Sequence, residues 1–177
     1  MLSRAPERTL TSRAFLGSEA SGIITLDLED IIPNRLQAYL DIKDQLFQGL
    51  VLREKDFREW TKDLDWSIYA NHDVAIYCSA DAVVPTWAYM LVASSLASYT
   101  STIYFCEPQS LNGFIAERAV SHLNIDTFSD KRIVIKGCGN REISNHAYVL
   151  LTSLLVPVAK SIMFGEPCST VPVFKKK

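Results

Sequence analysis

No Gly-x-Gly-x-x-Gly loop, no Walker-type phosphate loop and no Cys-x-x-Cys pair occurs in these 177 residues. Gly137-Cys138-Gly139 is too short for a dinucleotide fingerprint, so a nucleotide cofactor has no sequence support. There is no continuous apolar run of membrane-spanning length, and Gly and Pro, at seven each, are too few for a collagen-like or low-complexity chain. Positive charge is not in excess either. Eighteen basic residues stand against 20 acidic ones, for a formal net charge of −2 and a pI near 5.9. A general nucleic-acid binder would carry a basic surplus, so neither nucleic acid nor membrane is an expected partner.

What is present suits a folded domain. The chain is 48% hydrophobic, and a chain of this length can bury roughly 70% of its unfolded surface without disulfide staples. Residues 1–20 carry Arg4, Arg8 and Arg13 among Ser and Thr but lack the apolar core of a secretory signal. Glu7 and Glu19 argue against a transit peptide, so this stretch reads as a flexible leader. Residues 21–177 then form a single domain. Without an export signal a reducing, cytoplasmic setting is expected, with Cys78, Cys106, Cys138 and Cys168 as thiols or ligands.

Along the chain, Ile23-Ile24-Thr25-Leu26-Asp27-Leu28 is β-rich, and residues 36–42 alternate apolar and polar like a half-buried strand. A short amphipathic turn at 44–48 stops at Gly49, and Leu50-Val51-Leu52 follows as a short strand. Phe57, Trp60 and Leu64 then mark an amphipathic helix from Glu54. Strands at 74–78, 102–106, 132–136 and 161–164 alternate with helices over 86–98, from Ser110, and over 144–156. Pro85 opens one helix and Pro157 ends another. This alternation predicts an α/β fold: three layers, a largely parallel sheet and helices on both faces. The N-terminal strands, with tighter connections, could extend it in antiparallel sense. No repeat, linker or low-complexity tract stands out, the βα spacing being that of the architecture.

Each cysteine falls at or just beyond a strand's C-terminal end, the edge where open α/β sheets bind ligands. With the strand ending at Cys78 central, a 2-1-3-4 order sets it beside the strand preceding Cys138. The strand leading to Cys168 then lies one further out, and Cys106 packs separately. Charge placement adds to this picture. Between Asp73 and Glu107 the one ionisable charge is Asp81, and between Lys160 and Lys175 it is Glu166. Unpaired carboxylates are costly to bury, so two lone acids, each beside a cysteine, suit a metal site. Cys78, Cys138 and Cys168 with Asp81 or Glu166 would hold zinc, or three thiolates an iron–sulfur cluster.

Two other readings stay open. Free cysteines are commonly plain core residues, Asp81 could cap the following helix and Glu166 could be a turn residue. The protein would then be a non-catalytic interaction protein, a homodimer using its N-terminal strands or aromatic helices. In the third reading Cys78 or Cys138 is the nucleophile of a thiol-dependent enzyme, with His146 as its base. Trp60, Trp66 and Trp87 read as core, and Lys175-Lys176-Lys177 as a solubilising tail with weak anion affinity.

Several runs resemble a known family. They are Cys78-Ser-Ala-Asp-Ala-Val-Val-Pro-Thr-Trp-Ala-Tyr-Met90, Ile135-Lys-Gly-Cys138 and Lys160-Ser-Ile-Met-Phe-Gly-Glu-Pro-Cys-Ser-Thr-Val-Pro172. With Gly22-Ile-Ile-Thr-Leu-Asp-Leu-Glu29 and Glu54-Lys-Asp-Phe-Arg58, they are similar to the bacterial family called domain of unknown function 2480. The resemblance runs from about Ser21 to the C-terminus. It implies a cytoplasmic bacterial protein with no assigned activity, and a family association with iron–sulfur cluster assembly. His146 stands outside the family's pattern, which weakens a Cys–His pair.

Overall fold

In the computed structural model, which describes residues 22–136, 139, 141–166 and 169–177, the β-branched runs become strands and the apolar runs of eleven residues become helices. The first part of the chain forms β1 (Ile23–Asp27), α1 (Leu28–Ile31), β2 (Gln37–Asp41), β3 (Leu46–Phe47), β4 (Val51–Leu52), α2 (Glu54–Asp63) and β5 (Asp73–Tyr77). Then follow α3 (Thr86–Leu96), β6 (Ile103–Phe105), α4 (Leu111–Ser121), β7 (Arg132–Lys136), α5 (Asn145–Leu155), β8 (Ser161–Glu166) and β9 (Ser169–Lys175). The α/β class holds. One sheet is parallel throughout, in the order β2-β5-β6; another runs β1-β7-β8 in parallel, with β9 antiparallel beside β8.

Three expectations need correction. The N-terminal strands β1 and β2 pair in parallel, while the antiparallel pairs are the small β3–β4 ladder and β8–β9. The 2-1-3-4 strand order does not form. β5, which ends just before Cys78, bonds to β2 and β6, whereas β7, which leads to Cys138, bonds to β1 and β8. The cause is that β1 and β2 each dock on a different central strand and so build two sheets. The Lys175 end of the chain is also not a plain tail, because Ser169–Lys175 is a strand. Pro172 hides it from sequence reading, yet an edge strand tolerates a residue without an N–H.

The chain divides into two compact units: Asn34–Phe114, and Ile115–Lys177 together with the residues before Asn34. In the first, α2 carries Phe57 fully buried, its ring 5.0 Å from Trp60 and edge-on to Trp87 at 5.8 Å. Trp66 is buried too, and its indole N–H donates to the Thr61 carbonyl at 2.8 Å, so its polar atom is satisfied. Leu40, Ile42, Val74, Ile76, Ala88, Val92 and Leu96 complete this core. On α3 the buried residues Ala88, Val92 and Leu96 fall every fourth position, one stripe of a helix.

The second unit repeats the first, contrary to the reading of an unrepeated chain. β5 (Asp73–Tyr77) and α3 (Thr86–Leu96) recur 59 residues later as β7 (Arg132–Lys136) and α5 (Asn145–Leu155). The buried stripe of α3 recurs as Ala147, Leu151 and Leu155. The single turns of 3-10 helix at Trp66–Tyr69 and Ile125–Phe128 match as well. Asn71 (φ 61°) and Asp130 (φ 57°) take the same left-handed conformation, which these residue types tolerate. Their amides donate to matching carbonyls, Tyr99 at 3.2 Å and Val158 at 2.9 Å. Side chains follow: Ala88, Tyr89, Leu91, Ser94, Leu96, Ile103, Phe105 and Glu107 recur as Ala147, Tyr148, Leu150, Ser153, Leu155, Ile162, Phe164 and Glu166. The edge strands repeat with a different shift: Leu26-Asp27-Leu28 in one unit matches Leu40-Asp41-Ile42 in the other. The duplication escapes sequence reading because most matched positions keep only their character (Val74 to Ile133, Val92 to Leu151).

The two copies part company after their third strand. Gly165 has φ 118°, and a Cβ there would lie 2.7 Å from the Ser169 carbonyl oxygen, so the return into β9 needs glycine. Cys106 stands at the matching position of the first copy, and the chain there continues into α4 instead of folding back. β9 is a protected edge: it carries Pro172, Lys175 and a bulge opposite Ile162 and Met163. β6 has none of these devices among its three residues.

Candidate functional site

The C-terminal ends of the three parallel strands carry the polar chemistry of each unit. In Asn34–Phe114, Asp41 closes β2. It accepts from the Ser79 amide at 3.1 Å, the Ser79 hydroxyl at 2.5 Å and the Lys43 amide at 3.0 Å. The Lys43 ammonium lies 3.7 Å away. Partial burial pushes the Asp41 carboxyl up, but the Ser79 and Lys43 contacts outweigh it and hold it below the usual carboxylate range. Tyr77, at the end of β5, and Tyr89, on α3, look onto the same edge. Burial first, and then Asp41 and Glu107, push the Tyr77 phenol up; burial, Cys78, Glu107 and Asp41 do the same for Tyr89.

In the other unit the matching strand end is closed by an ion pair network. Lys136 replaces Tyr77, and its ammonium lies 3.6 Å from Asp27 and 3.8 Å from Glu166, the counterparts of Asp41 and Glu107. Asp27 caps α1 by accepting from the Glu29 amide at 2.9 Å. The Glu29 carboxylate in turn accepts the Arg141 amide at 2.8 Å and fills the space where Gly139 would carry a side chain. The Arg141 guanidinium donates to the Ile32 carbonyl at 3.0 Å. His146, on the first turn of α5, faces Glu117 at 3.8 Å.

Of the ligand set read from the sequence, Cys78 and Asp81 belong to one unit and Glu166 to the other, while Cys138 and Cys168 lie outside the described residues. Cys78 is half-buried against the Leu40–Val74–Leu96 core, its thiol 3.8 Å from the Ala80 carbonyl. Asp81 is exposed, and Glu166 faces Lys136. Cys106 is buried, and burial, then Glu107, push its thiol up, away from thiolate reactivity. Among the described residues no three His, Cys, Asp or Glu side chains gather in a group that could hold a metal ion.

Sequence reasoning passed over Asp27, Asp41, Ser79, Lys136 and Tyr77. The usable signal was the recurrence of an acid between two buried aliphatics, Leu26-Asp27-Leu28 and Leu40-Asp41-Ile42. Each acid ends an edge strand, where its carboxylate can reach amides of the next loop.

No helix among the described residues is long and apolar enough to cross a membrane. No curated protein and no solved structure matches the chain significantly. A family model matches residues 18–176, nearly the whole chain, with the runs at 78–90 and 160–172 inside the matched region. The chain therefore belongs to the family described as "Protein of unknown function (DUF2480)".

Proposed function

We propose that this protein works by association rather than catalysis, as a homodimer in which β6 pairs antiparallel with β6 of a second copy. The observation that carries this is the difference between the two third strands. β8 is covered by β9 and reaches six residues, while β6 has no strand on its outer side among the described residues and stops at three. A bare edge without lysine, proline or bulge is a template for another strand. A two-fold axis through β6 would satisfy both edges at once. Phe105 is 69% exposed and Met90 66%, and Tyr89 holds the Phe105 ring at 4.7 Å, so an apolar rim lies ready beside the edge. Sedimentation velocity at roughly 50 μM should show a dimer if its Kd is in the micromolar range. Phe105→Lys should sediment as a monomer with an unchanged melting curve. A wild-type monomer at that concentration, or a Phe105→Lys dimer, counts against the proposal.

A second reading keeps a thiolate centre, zinc or an iron–sulfur cluster, with Cys138 and Cys168 as its nucleus and Glu166 as a further ligand. It is supported by the register of β7 and β8, whose ends Lys136 and Glu166 meet at 3.8 Å two residues before those cysteines. Such a centre would connect a cytoplasmic protein to iron–sulfur cluster assembly. Elemental analysis after anaerobic purification decides it: below about a tenth of a metal per chain, the reading fails.

A further inference from the structure

The sheet of the second unit gathers cations that are far apart in sequence. Arg132 opens β7, Ser161 stands beside it in β8 and Lys175 beside that in β9. The Lys160 amide donates to the Lys131 carbonyl at 2.8 Å, and the Lys176 amide to the Lys160 carbonyl at 3.0 Å. Lys131, Arg132, Lys160, Lys175 and Lys176 therefore sit on three adjacent strand ends, spaced about 4.8 Å from one strand to the next. All five are exposed. Asp130 is the one acid in the segments 129–134, 158–163 and 173–177 that build this end. With Lys177 these segments carry six cations against one acid, a local excess of five positive charges on a chain whose net charge is −2.

The fold does not require them. In the first copy the positions of Lys131, Arg132 and Lys160 are held by His72, Asp73 and Ser101, yet β5 starts at the position matching β7 and the His72 amide bonds Tyr69 as the Lys131 amide bonds Phe128, each at 3.1 Å. Like charges on neighbouring strands repel, so their collection in one copy alone needs an external partner of opposite sign. We infer that this strand-end cluster docks on an anionic lipid surface. Lysine predominates, a point charge on a flexible stem rather than a planar fork for bases. No exposed aromatic in these segments offers a stacking platform of the kind single-stranded nucleic acid uses; Phe174 is half-buried against Ile162 in the ladder. Val173, 51% exposed on the same edge strand, gives apolar contact beside the lysines. This differs from the composition-based expectation of no membrane partner, because average charge conceals a local cluster.

The test is co-sedimentation of the full chain with vesicles of about one-third phosphatidylglycerol in phosphatidylcholine, against pure phosphatidylcholine vesicles and duplex DNA. Each lysine near an anionic surface is worth about a five-fold change in partitioning. The combined variant Lys131→Gln, Lys160→Gln, Lys175→Gln, Lys176→Gln should lose binding several-hundred-fold on that scale, with its melting curve unchanged. The matched variant Lys62→Gln, on α2 of the other unit, should bind like wild type. Three results would overturn the inference: equal binding to neutral vesicles, binding unaffected by the four substitutions, or capture of duplex DNA without capture of anionic vesicles.

Discussion

Leu96 and Leu155 offer a direct test of the duplication. Each is the last residue of its helix and fully buried, and each continues a matching buried stripe, Ala88–Val92 and Ala147–Leu151. Leu→Ala removes the equivalent of about three buried methylenes, roughly 2.4 kcal/mol of transfer free energy. The cavity left in a close-packed core raises the loss to about 3–4 kcal/mol. If the two units are copies of one packing scheme, Leu96→Ala and Leu155→Ala should cost the same within about 1 kcal/mol. Urea denaturation followed by circular dichroism measures both. A loss of about 3 kcal/mol at one site and under 1 at the other would refute the idea that the two helices occupy equivalent sites.

Further expectations follow from individual side chains. Ser79→Ala removes the hydroxyl bond to Asp41 but keeps the amide one, and should cost about 1 kcal/mol at neutral pH. Because Asp41 titrates below its unfolded value near 3.9, that stability is present above this pH and is lost as pH falls through the folded value; wild type and variant should converge there in acid denaturation. Asp73 is 2% exposed and its Oδ2 has no hydrogen-bond partner among the described residues, so Asp73→Asn should not destabilise and should raise stability by about 1 kcal/mol in a thermal melt. Iodoacetamide followed by peptide mapping should find Cys106 slow at neutral pH, because it is buried and its thiol titrates high.

The strands and helices were legible because their residues obey local rules. Arg132–Lys136 and α2 from Glu54 fall where hydrophobic periodicity places them, and Ser144 precedes α5 as its cap position. Strand neighbours were not legible. Nothing local in Ile23–Asp27 says that it pairs with β7, 109 positions away, rather than with the nearer β5. That choice depends on long-range packing, and with it fell the 2-1-3-4 strand order. The candidate site was missed for a related reason. Cysteines attract attention by their chemistry, whereas Asp27 and Asp41 become significant only once Lys136 and Ser79 are brought to them by the register. β9 was hidden by a residue type, proline, whose ordinary meaning is altered by its place on an edge.

The β6 edge can be observed at single amides. Since the Thr102 carbonyl accepts the Val74 amide, strand alternation turns the Ile103 and Phe105 amides away from β5. Hydrogen exchange read at those two positions should slow markedly when the protein is concentrated from well below to well above its association constant, while Ile162 and Phe164 in the covered strand stay protected throughout. Rapid exchange at Ile103 and Phe105 that does not change with concentration would mean that no second copy ever lies against this edge.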